Sequence, residues 1–225
     1  MNRSRTTQLI VQSAYVALGI VAALGSTGFF RVEPNPSFYT KFTNISNYLC
    51  LAIMAAELVQ TARRKDNGPV TFAPLWKFMG VLSILLTFFV FNIMLLPART
   101  LAENLDVTSI LCHQVLPVLY VDDWLVFYRR GDLKVSDPLR AATIPLAYVA
   151  FIFCRAAALG FTGDDLYPYF FLNLDKLGAS GVAAWVAVLT VAFLVVGFLL
   201  YGYDRAADQY VRSGERNGRF YLISR

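Results

Sequence analysis

The chain has 225 residues, of which 57% are hydrophobic and 15% aromatic, with a mean hydropathy of +0.52. That is too apolar for a soluble domain, and apolar runs of about twenty residues, enough for a helix to cross roughly 30 Å of hydrocarbon, recur along it. The formal net charge of +5 does not mark a nucleic-acid partner, because the basic residues collect between the apolar runs.

Six spans are predicted, at about 8-30, 37-62, 75-97, 107-128, 139-159 and 179-203. They define an all-α integral membrane bundle of six transmembrane helices in one domain over 1-225. The first span is too long for a signal-peptide core and lacks a cleavage site, so it is expected to be retained. Asn35-Pro36 marks a turn, and Ser37 is read as the N-cap of the second helix, which puts Thr43 six residues inside it. Pro97 closes the third span. Asp106 is read as the N-cap of the fourth, which holds the only histidine of the chain, His113, seven residues in. The fifth contains Pro145 and carries Arg155 four residues before Leu159. The sixth follows Gly178-Ala179-Ser180-Gly181. That tetrapeptide is similar to the GxSG of rhomboid proteases, but no histidine follows Ser180, so it is read as the turn that starts a helix.

Orientation follows from the basic residues at the span ends. The side bearing the termini carries fifteen, with Arg63, Arg64, Lys65 and Lys77 in the second-to-third connection and Arg129, Arg130, Lys134 and Arg140 in the fourth-to-fifth. The other side carries four: Arg31, Lys41, Arg99 and Lys176. Both termini are therefore expected in the cytoplasm.

Ionisable groups inside a bilayer are expensive and usually face a protein interior or a cavity. Thr43 and His113 fall at nearly one depth, roughly 10 Å below the outer helix ends, by the rise of 1.5 Å per residue. Arg155 lies in the same outer half. Thr43, Asn47, Cys50, Met54 and Glu57 share one stripe of the second helix. His113, Pro117, Tyr120 and Trp124 share one of the fourth, with Asp123 at its edge and Asp122 nearly opposite His113. A hydroxyl and an imidazole at one depth are the minimum for nucleophilic catalysis, with the imidazole taking the proton as the hydroxyl attacks a carbonyl. The plainer reading has both groups hydrogen-bonding neighbouring helices. Asn47, one turn below Thr43, is either an oxyanion donor or interhelical glue. Arg155 either holds a substrate carboxylate or phosphate or pairs with Asp164, Asp165 or Asp175. Asp123 is a possible supporting polar group, while Glu57 and Asp122 are expected to reach the inner interface. One histidine cannot supply the paired axial ligands of a membrane haem, and no Cys/His cluster suits zinc. No cofactor or metal is expected, and Cys50, Cys112 and Cys154 are read as small buried side chains.

Three motifs carry a family resemblance. Phe42-Thr43-Asn44-Ile45-Ser46-Asn47-Tyr48-Leu49 resembles the FTxxSNxL start of the second span in the bacterial Pr6Pr membrane-protein family. His113-Gln114-Val115-Leu116-Pro117, with Asp123-Trp124-Leu125 after it, is similar to that family's H-x-V-x-P…DWLxF segment. Tyr167-Pro168-Tyr169-Phe170-Phe171-Leu172 is similar to its YPYxFLD connection, with Asn173 where Asp is usual. The branch is similar in turn to the androgen-induced membrane hydrolases, which cleave esters of fatty acids with hydroxy fatty acids. The resemblance implies a threonine nucleophile at Thr43, a histidine at His113 and a place in a bacterial cytoplasmic (inner) membrane. The expected function is hydrolysis of a membrane lipid of the fatty-acid ester type. A non-enzymatic lipid-binding or transport protein is the alternative.

Overall fold

The computed structural model describes residues 4–31, 37–160 and 166–223. Six helices are long and apolar enough to cross a membrane: α1 (Arg5–Ser26), α2 (Phe42–Arg63), α3 (Pro74–Ala98), α4 (Val107–Phe127), α5 (Asp137–Ala158) and α6 (Leu174–Ile223). Among the described residues there is no β-strand, only one isolated bridge between Val70 and Tyr128. An even number of crossings puts both ends of the chain at one end of the bundle, here the terminal end. The opposite end is distal.

Helix α1 packs on α2 and α4, and α3 packs on α2 and α4 from the other side. Helices α5 and α6 add to the outer face of α3. Two apolar clusters result. One joins α1 to α4 through buried Tyr15, Met54, Phe78, Leu116, Tyr120 and Trp124. The other, around Phe42, Tyr148, Ile152, Phe171 and Val182, joins the start of α2 to α5, α6 and the connection between them.

The spans match these helices to within a few residues at most ends, with two informative differences. Ser37 flanks a separate 3-10 turn, Phe38–Thr40, and α2 starts only at Phe42 because Lys41 adopts an extended backbone. Thr43 is therefore in the first turn of α2 rather than six residues inside it. The Asn35-Pro36 turn lies outside the described residues. The sixth helix runs well past 203. Gly178, with φ 65°, is the sharp bend before its long part, as expected of a turn that starts a helix. Asp106 caps α4, its carboxylate accepting from the Ser109 N–H at 3.0 Å.

Helices α3 and α4 each contain one five-residue π turn, Phe91–Leu95 and Leu111–Val115. Both π turns are followed immediately by Leu-Pro, at Leu96-Pro97 and Leu116-Pro117. A proline lacks the N–H that would close the preceding turn, so the backbone there is free to widen. The two turns lie side by side. The His113 ring stacks on Phe91 at 3.7 Å and 14°, and the Gln114 side chain donates to Asn92 at 2.8 Å.

Lys77 corrects the loop assignment. It lies on the first turn of α3 and is completely buried, as are Glu57 and Asp123. Its ammonium donates to Glu57 Oε2 and to Asp123 Oδ2, both at 2.7 Å, and sits 4.0 Å over the Tyr120 ring. Glu57 thus pairs across helices instead of reaching the interface, while Asp122 is exposed. Cys50 and Cys112 are buried as expected, whereas Cys154 is exposed on the outside of α5.

Candidate functional site

Three elements bring polar groups together at the distal end: the first turn of α2, the π turn of α4 and the segment before α6. Thr43 Oγ1 lies 3.4 Å from His113 Nε2. On the other side of the ring, Nδ1 lies 2.8 Å from the Ser109 carbonyl oxygen. A carbonyl only accepts, so Nδ1 carries the proton and Nε2 turns its lone pair to Thr43. The sequence explains this tautomer. Ser109 is one turn before His113 on the same helix, so the ring folds back onto its carbonyl. Stacking on Phe91 fixes the ring plane.

Asn47 bridges the same two elements. Its side-chain amide donates to the Thr43 carbonyl at 2.8 Å and to the Cys112 carbonyl at 3.2 Å. Both amide hydrogens are thereby used on the backbone, so Asn47 ties α2 to the π turn of α4 and sets the Thr43–His113 distance. Of its two readings, the geometry matches interhelical glue and leaves no hydrogen for an oxyanion.

Tyr169 is the residue that sequence reasoning did not select. The Thr43 backbone N–H is one of the first-turn donors with no acceptor inside its helix, and it donates to the Tyr169 hydroxyl at 3.4 Å. The side chain stacks on Phe171 at 5.1 Å. Desolvation holds its phenol above the ordinary tyrosine range, despite hydrogen bonds from Thr43 that act the other way, so it stays a neutral donor. Its signal was present in the Tyr167-Pro168-Tyr169 connection, although nothing in the spacing placed that connection against α2.

Two cavities meet here. One is polar, about 500 Å3, and includes Lys41, Thr43, Arg99, Ser109, His113 and Tyr169 in its wall. The other is an apolar cleft between α3, α5 and α6. Thr43, Phe91, Leu95 and Tyr169 line both, so the Thr43 hydroxyl stands at the junction.

Two predicted site residues are elsewhere. Arg155 lines neither cavity, and its guanidinium donates to the Leu166 carbonyl at 3.2 Å. Asp164 and Asp165, weighed as its partners, lie outside the described residues. Asp123 sits in the Lys77 cluster toward the terminal end, ten residues down α4 from His113, and so supports the packing of α2, α3 and α4 rather than the Thr43 site. Among the described residues no group of His, Cys, Asp and Glu is placed to hold a metal ion.

Comparison of the chain with protein-family models, curated proteins and solved structures finds no match.

Proposed function

We propose that the protein is an integral-membrane hydrolase of lipid esters of the fatty-acid ester type, with Thr43 as nucleophile and His113 as base. The observation that carries this reading is the Thr43–His113 pair, with Nδ1 held by the Ser109 carbonyl, at the junction of a polar cavity and an apolar cleft. The ester carbonyl carbon takes up the Thr43 oxygen while His113 Nε2 takes its proton. The carbonyl oxygen becomes an oxyanion that accepts from the Tyr169 hydroxyl, itself held by the Thr43 N–H, at the positive end of α2. Collapse expels the alcohol, which receives the proton from His113 and leaves an acyl-threonine. Water from the polar cavity then gives its proton to His113 and attacks the acyl carbon, releasing the fatty acid and restoring Thr43. No cofactor is needed for this chemistry.

The experiment is turnover of nitrophenyl esters of fatty acids by the purified protein in detergent or lipid. Hydrolysis that depends on Thr43 supports the reading. A protein that binds these esters and never cleaves them is the lipid-binding or transport alternative. Tyr169→Phe should lower kcat by about 10²-fold with little change in KM, because a donor to the oxyanion acts mainly in the transition state. A pure KM effect would remove Tyr169 from that role.

The same reading places the site in the outer half of a bacterial inner membrane. With Lys77 moved into the bundle, the basic residues still stand fourteen to four in favour of cytoplasmic termini. A phosphatase reporter, active only outside the cytoplasm, should be silent when fused after Arg225 and active when inserted after Gly160. The opposite pattern would invert the bundle.

A further inference from the structure

The apolar cleft has a direction. Helix α3 runs toward the distal end, α5 runs the same way and α6 runs back. Leu95 on α3, Val149 on α5 and Val186 on α6 therefore lie at its distal end with Thr43, whereas Leu86, Ala142 and Phe193 lie toward the middle of the bundle. From Val149 to Ala142, and from Val186 to Phe193, each wall runs seven residues, roughly 10 Å along the helix.

The cleft is narrow. Its volume is only about 70 Å3, against about 500 Å3 for the polar cavity. Two of the polar groups in its wall are already occupied. Thr87 pairs with Ser46 at 2.8 Å, and the Tyr148 hydroxyl donates to the Thr40 carbonyl at 2.8 Å. A long, thin, apolar space that offers little to a polar ligand and starts at a nucleophile suits one straight hydrocarbon chain. Its far end is formed by a small residue, Ala142, and a large one, Phe193, both buried.

We propose that this cleft is an acyl-chain binding site, with the chain lying along α5 and α6, its carbonyl at Thr43 and its methyl end at Ala142 and Phe193, which set the length accepted. The assignment rests on the hydrolase reading for the position of the carbonyl. It goes beyond that reading in naming the half of the ester that enters the cleft and the residues that select it. The acyl half takes the cleft, and the alcohol half faces the polar cavity with Lys41 and Arg99. Enlarging Ala142 shortens the cleft from its far end, and trimming Phe193 deepens it. Neither residue lines the polar cavity that holds His113.

The test compares kcat/KM for a series of straight-chain nitrophenyl esters, from short to long, in the native protein, Ala142→Leu and Phe193→Leu. Ala142→Leu should lower the long-to-short preference by about ten- to a hundredfold, the usual size of a discrimination set by a hydrocarbon pocket. Phe193→Leu should move it the other way. An unchanged preference in both variants, with folding intact, would overturn the proposal. Failure of the hydrolase reading would look different, because no ester would turn over at all. The cleft is then judged by binding. Trp185 lies beside Phe171 of the cleft wall, with ring centroids 6.3 Å apart, and serves as a built-in reporter. Brominated fatty acids should quench it in the native protein, and Ala142→Leu should weaken binding of long acids more than short ones. Absence of quenching, or equal weakening at all lengths, would overturn the acyl-chain assignment.

Discussion

Thr43→Ala should abolish ester turnover, and His113→Ala should lower it by roughly 10²- to 10⁴-fold, the usual contribution of a positioned base. The double variant should look like Thr43→Ala alone, because nucleophile and base act as a unit and their losses do not add. Thr43→Ser should retain activity, since the hydroxyl survives and the added freedom at χ1 is a small penalty. Losing Thr43 removes a side chain but leaves the Thr43 N–H and carbonyl, so its bonds to Tyr169 and Asn47 persist and the fold should be intact. His113→Ala opens space against Phe91, so its thermal stability must be measured in parallel. A folded Thr43→Ala protein with native turnover would contradict the mechanism.

Lys77→Met should be the most destabilising single change. It leaves the carboxylates of Glu57 and Asp123 inside the bundle without their common ammonium. Breaking a buried ion pair by removing one partner typically costs about 3–5 kcal/mol, because the remaining charge stays buried and uncompensated. The loss would be read as a large fall in Tm in detergent, or as failure to accumulate in the membrane. Lys77→Met combined with Glu57→Gln and Asp123→Asn should recover most of it, since neutral groups of the same shape need no counter-charge. If Lys77→Met alone matched the native Tm, the cluster would not hold α2, α3 and α4 together.

These two results separate what the sequence makes legible from what it does not. Hydropathy runs locate six helices because hydrocarbon thickness dictates their length. Asp106 is legible as a cap because its carboxylate answers a local need three residues on. The Thr43–His113 pairing is legible from matched depth, although α2 starts at Phe42 rather than at Ser37. Lys77 reads as a loop cation because it lies only two residues after the predicted helix start, and only packing shows that Glu57 and Asp123 wait for it. Asn47 and Arg155 illustrate the same limit. Each has the right type and depth, but hydrogen bonds to backbone carbonyls, which no residue pattern displays, decide what their donors do. Tyr169 comes from a connection with no period at all. The repeated Leu-Pro after each π turn was visible in the sequence, but its consequence, two widened turns stacked through Phe91 and His113, needs the three-dimensional neighbour.

The most direct measurement is the site of covalent labelling. The purified protein, treated with a serine- and threonine-directed fluorophosphonate bearing a long alkyl chain, would be digested and its peptides weighed. The account predicts one adduct, on Thr43, absent from Thr43→Ala and strongly slowed in His113→Ala. A folded, ester-cleaving protein whose adduct lies on any other residue, or whose Thr43→Ala variant labels at the native rate, would contradict it.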